Sequence, residues 1–168
     1  MECSKNIRQG ELIHGKDLKD TPLFKITYSN ETHHGFEYRD GENVDTLQFN
    51  DDVNVTCGPG GLYFTDITSL FWFAYDMGKH NLSGHNLNIR RVTLDDGEPV
   101  VKVYDGRQYT KYRAHKIHLG PKVTLYDMAT INNLLSICPK LLEDNNTLFI
   151  LYEILQRDFT RNIGCAES

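Results

Sequence analysis

The stretch "CGPGGLYFTDITSLFWFAYDMGKH" (Cys57–His80) decides the fold, because a glycine turn, a strand and a helix follow one another in it. Pro59 fixes one backbone dihedral and the neighbouring glycines permit positive φ, which predicts a tight turn. "GGLYFTD" predicts a strand, after which Asp66 or Thr65 is expected to cap a helix ending near Gly78. Apolar residues at helical spacing make this the predicted central buried helix: Leu70, Phe71, Phe73, Ala74 and Met77.

Working outward, the flanking segments predict more strands and then two helices. Strand patterns occur in "PLFKITYS", "HHGFEYRDG", "LNIRRVTL", "PVVKVY" and "QYTKYRAHKIHL", and Asp105-Gly106 predicts a turn that joins the last two as a hairpin. Residues 41–60 are polar and turn-rich and predict an irregular surface segment. "DMATINNLLSIC" and "NTLFILYEILQRD" predict amphipathic helices, with Pro139 ending the first. The expected fold is α+β, with a mainly antiparallel sheet, one central helix and two C-terminal helices.

The chain length and the polar N-terminus set the expected domain organisation. A chain of 168 residues fits a single domain. Residues 1–20 are rich in charged side chains and predict a flexible N-terminal arm. Residues 21–168 are then expected to form one α+β domain.

Composition excludes several classes of protein. The net charge is −5, so the chain lacks the basic excess typical of nucleic-acid-binding proteins. No apolar run approaches the roughly 20 residues of a membrane helix, and the N-terminus lacks the apolar core of a signal peptide. These features predict a cytosolic or nuclear protein. In such a reducing compartment the scattered cysteines are expected to be free thiols, with Cys138 in the core and Cys57 just before the glycine turn.

The glycine turn could serve a ligand or only the fold. No Lys-Ser/Thr follows the turn and no G-x-G-x-x-G occurs, so neither nucleotide-binding fingerprint is met. The pattern favours a tight corner before a strand, while a turn that approaches a ligand through Gly60 and Gly61 stays the alternative.

Four segments in a fixed order carry a family resemblance. They are "HGFEYRDGENVDTLQFN", "CGPGGLYFTDI", "IRRVTLDDGEPVVKV" and "YRAHKIHL", and the resemblance covers about Phe24 to Leu119. This order resembles a family encoded by large DNA viruses of the Marseillevirus type. The resemblance implies a viral protein that is made in the infected host cell and acts in its cytoplasm or nucleus, with packaging in the virion as an alternative.

A second resemblance is local and chemical. His34-Gly35, followed by "GGLYFTDITS", is similar to mono- and poly-ADP-ribosyltransferases. The resemblance implies that His34 binds the nicotinamide ribose, Gly35 binds the amide and Tyr63 stacks on nicotinamide. Ser69 would take the position of the family's serine. These enzymes also use a glutamate on a later strand, and no strand of this sequence offers one.

Two other groups of residues have side chains of the kinds that form binding sites. His115 and His118 are three apart on a predicted strand, so they point to opposite faces, and no metal site is predicted. A basic strip interleaved with tyrosines could instead bind nucleic acid, although exposed hairpins commonly carry charge for solubility. Its candidate residues are Lys102, Arg107, Lys111 and Arg113.

The resulting hypothesis is a non-catalytic viral interaction or virion-associated protein that binds a viral or host protein and needs no cofactor. An ADP-ribosyltransferase-like NAD-binding protein is the first alternative, and a nucleic-acid-binding accessory protein is the second. The first two hypotheses differ in one spatial feature. An NAD site requires His34 and Tyr63 to share a cleft with a carboxylate.

Overall fold

A computed structural model describes residues 2–80, 87–103 and 109–164 of the chain. Its main sheet is antiparallel and three α-helices accompany it, which confirms the predicted α+β fold. The helices are α1 (Leu70–His80), α2 (Met128–Ile137) and α3 (Asn145–Gly164). The strands are β1 (Glu11–His14), β2 (Leu23–Thr27), β3 (Thr32–His33), β4 (Phe36–Glu37), β5 (Gly41–Val44), β6 (Leu62–Asp66), β7 (Asn88–Thr93), β8 (Pro99–Lys102), β9 (Tyr112–Ala114), β10 (Lys116–Leu119) and β11 (Val123–Thr124).

Nine strands form one sheet in the order β1-β8-β9-β6-β2-β7-β10-β5, and β11 pairs with β7. β3 and β4 form a separate hairpin. The segment predicted as a single hairpin partner of β8 is two strands, with His115 between β9 and β10. β9 pairs with β8 and β6, whereas β10 pairs with β5 and β7, so this segment links two halves of the sheet. The predicted Asp105-Gly106 turn lies outside the described residues.

Two apolar cores cover the two faces of the sheet. Helices α1, α2 and α3 contribute to the first, which includes Phe24 and Ile26 of β2. The second lies on the opposite face and includes Leu62 and Phe64 of β6. Alternate residues of a strand point to opposite faces, and Tyr63 accordingly lies between two core residues without joining their cluster.

The sheet divides where β2 meets β6. These strands pair through Leu23 with Asp66 and Phe24 with Thr65. β2 then continues along β7 to Thr27, while the start of β6 follows β9. The strands therefore separate beyond two residue pairs, and a gap opens between the second half of β2 and the first half of β6.

The N-terminal segment is part of the fold, which corrects the prediction of a flexible arm over residues 1–20. β1 pairs with β8 along its four residues, and the 3-10 helix Gly15–Leu18 places Leu18 in the second core with 1% of its surface exposed. Charged residues dominate this segment, but burial of Ile13 and Leu18 is sufficient to hold it against the sheet edge.

A disulfide joins Cys3 to Cys138, so the prediction of free thiols is wrong for these two residues. Their Cα atoms lie 5.8 Å apart although 135 residues separate them in sequence. Cys138 is buried in the first core, as predicted. Among the residues that the structure describes, Cys57 is a free and exposed thiol.

Two local boundaries also differ from the predictions. Part of the segment predicted as irregular, residues 41–60, forms β5 at the sheet edge. Helix α1 begins at Leu70, later than the predicted cap. The Asp66 carboxylate accepts hydrogen bonds from the amide and hydroxyl of Thr68, so it shapes the turn before the helix.

Candidate functional site

A cavity of about 560 Å³ opens in the region where β2 and β6 separate. This volume is within the range typical of small-molecule sites, about 300 to 1,000 Å³. Most of the lining side chains are aromatic or aliphatic. Besides the two strands, the wall includes the 33–38 hairpin, residues 45–47, the glycine turn, helix α1 and the side chains of Tyr28 and Lys111.

Lys25 is the charged side chain that the fold buries most deeply in this wall, with 4% of its surface exposed. Its ammonium nitrogen donates to the Tyr63 carbonyl oxygen at 2.7 Å and lies 4.6 Å from the ring centroid of Tyr38. The amine of Lys25 thus bridges the gap that the diverging strands leave. Within the described residues, no carboxylate forms an ion pair with it.

The electrostatics of this end of the cavity are set by burial and by neighbouring cations. Burial, followed by the charge of Lys111, lowers the pKa of Lys25 to about 7. Burial, followed by Lys25, His34 and Lys111, lowers the pKa of His33 to about 4. Lys111 therefore opposes the protonation of Lys25, and both lysines oppose the protonation of His33. Burial, together with the charge of Asp45, raises the pKa of the Tyr38 hydroxyl.

His34 and Tyr63 line this same cavity, and the carboxylates of Asp45 and Asp76 also belong to its wall. The structure thus brings together the two residues that the ADP-ribosyltransferase resemblance implies. Tyr63 already has partners: its hydroxyl donates to the Gly58 carbonyl at 2.9 Å and accepts from the Gly58 amide at 3.0 Å. The ammonium of Lys111 lies 4.6 Å from the Tyr63 ring centroid.

His34 and Gly35 form the turn between β3 and β4, whereas the sequence placed them on a strand. His33 pairs with Phe36, so the loop contains these two residues. Their φ angles are 50° and 79°, and positive φ at both central residues is what a type I′ hairpin turn requires. The His-Gly pair therefore has a structural role, whatever it binds.

A buried ion pair holds this hairpin in place. Glu31 begins the segment at φ 58°, and its carboxylate accepts from Thr27, Asn88 and Arg90, the last at 2.9 Å. Arg90 also pairs with Asp40, beyond the hairpin. Through these contacts with Glu31, strands β2 and β7 hold in place the segment in which His33 and His34 line the cavity.

Gly60 and Gly61 are required by close backbone approach, which supports the tight-corner interpretation of the turn. Gly60 has φ 92°, and a Cβ there would lie 2.6 Å from the Gln48 carbonyl oxygen. Gly61 has φ 151° and lies against the side chain of Arg113. The Gly61 amide also donates to Asp45 at 2.6 Å. Gly61 lines the cavity, so its role as a wall residue remains compatible with ligand binding.

The predicted basic strip does not form a continuous surface. Arg113 is fully buried, and its guanidinium donates to the carbonyl oxygens of Asn50, Asp52 and Val55. Lys102 is also buried, with its amine 2.7 Å from the Ile7 carbonyl oxygen. Both side chains organise neighbouring main chain and are therefore withdrawn from nucleic acid. Arg107 lies outside the described residues, and Lys111 belongs to the cavity wall.

Other predicted site residues have structural partners. The Ser69 hydroxyl is buried and accepts from the Thr110 amide at 2.8 Å. Across residues 2–80, 87–103 and 109–164, no three His, Cys, Asp or Glu side chains are grouped to hold a metal ion. The helices in these ranges are too short or too polar to span a membrane.

Sequence reasoning missed Lys25, the central polar residue of the cavity. "PLFKITYS" was interpreted as a strand with alternating bulky and polar positions, in which a lysine is expected on the solvent side. All five residues of β2 are buried. The sequence did contain a signal for burial of Lys25, because apolar residues lie on both sides of the lysine in this short strand.

Comparison with known proteins identifies relatives in a giant virus, Acanthamoeba polyphaga mimivirus. Its putative ankyrin repeat protein R868 is 36% identical over 130 residues, which are 77% of this chain and 60% of that protein. Its putative ankyrin repeat protein R896 is 32% identical over 114 residues, 68% of this chain and 31% of that protein. The chain thus spans less than two thirds of either relative.

The uncharacterized protein R869 of the same virus is 35% identical over 107 residues, 64% of this chain and 70% of that protein. No profile of a known protein family matches the chain, and no solved structure matches it. The giant-virus part of the sequence resemblance is confirmed by these relatives. The chain belongs to a family of giant-virus proteins that includes the mimivirus protein R869.

Proposed function

We propose that this protein is a non-catalytic interaction module of a giant virus, and that it docks the apolar face of helix α3 on a helical repeat of the ankyrin type. The observation that carries the proposal is the exposure of large apolar side chains on α3. Leu148, Phe149, Tyr152 and Leu155 are 45%, 44%, 57% and 56% exposed.

These residues form one surface of the helix. Leu148, Tyr152 and Leu155 follow the i, i+4, i+7 spacing of a single helical face, and Phe149 is adjacent to them. The opposite side of α3 is buried through Thr147 and Ile150. A contiguous apolar surface that includes aromatic side chains is typical of protein interaction sites.

The relatives suggest the chemistry of the partner. R868, R896 and R229 of mimivirus are named as putative ankyrin repeat proteins, and the matched residues make up 60%, 31% and 41% of them. Ankyrin repeats are helix pairs that bury their apolar faces by stacking on neighbours. An exposed apolar helix such as α3 offers a surface on which such a stack could continue.

The test uses the part of R868 outside the matched residues as the binding probe, with isothermal titration calorimetry as the measurement. Binding to the wild-type chain is expected, and the double variant Tyr152→Glu, Leu155→Glu should weaken it at least tenfold, because charge opposes burial. Leu12→Glu is the matched control, since Leu12 is a similarly exposed leucine on β1. An undetectable interaction, or an equal loss in the control, would refute this partner.

The place of action is a further part of this proposal. We propose, as the sequence predicts, that the protein acts in the cytoplasm or nucleus of the host. We also propose that it belongs to a Marseillevirus-type branch of the family. Mass spectrometry of purified particles would distinguish a packaged protein from one that acts only in the infected cell.

An NAD-binding protein is the second candidate, and one observation favours it. His34, Tyr63 and Gly61 line a single cavity together with Asp45 and Asp76. NAD at a hundredfold excess over its dissociation constant would add about 2.7 kcal/mol to the free energy of unfolding. A thermal shift assay would detect this change as a higher melting temperature. The candidate requires that His34→Ala abolishes this shift, and absence of any NAD-dependent shift in the wild type would refute it.

A further inference from the structure

We propose that the cavity between β2 and β6 binds a small molecule with a flat apolar body and one anionic group, and that the Lys25 ammonium receives the anion. This goes beyond the interaction role of α3, because it assigns a ligand class to a different surface.

Lys25 has an incomplete set of partners. An ammonium group has three donors, and the hydrogen bond that the structure gives this one is to the Tyr63 carbonyl. A buried charge is costly unless it is paired, and among the described residues no carboxylate pairs with Lys25. Since the side chain lines the cavity, an anion placed there would supply the missing counter-charge.

The charge of the cavity wall favours an anion. Lys111 lines the same cavity as Lys25, and after burial it is the second cause that lowers the pKa of Lys25. The Asp45 carboxylate is committed to the Leu47 and Gly61 amides. The other carboxylate in the wall is Asp76 on α1, and it too has a partner.

The aromatic side chains of the wall favour a ligand with a flat body. Aromatic rings enter the wall from several elements, including Phe24, Tyr28, Phe36, Tyr63 and Phe73. Such rings pack against flat apolar groups in offset or edge-on arrangements. A mainly apolar wall with few polar groups is the usual composition of a small-molecule site.

The test compares two probes of the same shape, 2-naphthoate and neutral 2-naphthamide, by isothermal titration calorimetry at pH 7. The wild-type chain is expected to prefer 2-naphthoate at least tenfold. Lys25→Met should remove this preference while leaving binding of 2-naphthamide within twofold. Lys102→Met is the matched control, because Lys102 is also buried and also donates to a main-chain carbonyl, but lies outside the cavity wall.

A pH series on the wild-type chain tests the proposal without any substitution. Affinity for 2-naphthoate should fall as pH rises from 7 to 9, because the pKa of Lys25 is about 7 and loss of its proton removes the charge that receives the anion. Binding of 2-naphthamide should stay constant over this range. Equal affinity for both probes, no binding of either at millimolar concentration, or a preference that survives Lys25→Met would each overturn the proposal.

Discussion

Gly61 lies directly against Arg113. A Cβ atom on Gly61 would stand 2.8 Å from Cδ of Arg113 and closer still to its Cγ. Arg113 is in turn fixed by three main-chain carbonyls of the 50–55 segment. The absence of a side chain at Gly61 therefore leaves room for the buried Arg113 side chain to reach the 50–55 segment.

Gly61→Ala should destabilise the fold by about 1–3 kcal/mol, through strain at positive φ and displacement of Arg113. Chemical denaturation measures this change. Gly97→Ala is the matched control, because a Cβ at Gly97 meets no atom within 4 Å. Equal stability of the Gly61→Ala variant and the wild type would contradict the structural role of the turn.

Arg90→Met should destabilise the protein by about 3–5 kcal/mol, because it leaves the buried Glu31 carboxylate without its guanidinium partner. Denaturant unfolding at pH 7 measures the loss. Arg91→Met is the control, since Arg91 is exposed and follows in sequence. If both variants lose the same stability, the ion pair does not anchor the hairpin.

Stability should rise with pH between about 7 and 9.5 because of Lys25. Its pKa is about 7 in the folded protein and 10.5 in a free side chain. The unfolded chain thus binds more protons in this window, and stability rises by at most about 1.4 kcal/mol per pH unit. Denaturation across the window should show this slope in the wild type and a flatter one in Lys25→Met. Identical slopes would show that Lys25 keeps an ordinary pKa.

Lys25→Met should also raise the pKa of His33. That pKa is lowered to about 4 by burial and then by the charge of Lys25, which is protonated at acidic pH. NMR titration of the imidazole protons measures the change. His118, bound to Asp95 at 3.0 Å and outside the cavity wall, is an internal control whose imidazole signals should be the same in the wild type and the variant. If the pKa of His33 is the same in both proteins, the charge of Lys25 does not contribute to lowering it.

Reduction of the Cys3–Cys138 disulfide should lower stability by about 4–5 kcal/mol, since it closes a loop of 135 residues. Thermal unfolding with and without dithiothreitol measures the effect. Cys3→Ser should match the reduced wild type and be insensitive to reductant, whereas Cys57→Ser should behave as the wild type does. If the wild type unfolds at the same temperature with and without dithiothreitol, the disulfide does not stabilise the fold.

Local pattern was sufficient for much of the fold and for part of the site. The period of two along "GGLYFTD" is sufficient to place Tyr63 on the opposite side of the strand from Leu62 and Phe64, and helical spacing located α1, α2 and α3. Positive φ at a glycine turn was likewise expected from "GPGG". These features depend on near neighbours in the chain, whose periodicity the sequence displays directly.

Only the tertiary structure decided what those elements enclose. The cavity exists because β2 and β6 pair at two positions and then follow different neighbours, and nothing near Lys25 in sequence encodes that separation. Burial of Arg113, pairing of Cys3 with Cys138 and the entry of β1 into the sheet have the same origin. Each depends on contacts between residues far apart in the chain, and such contacts are fixed by the collective packing of the strands rather than by local propensity.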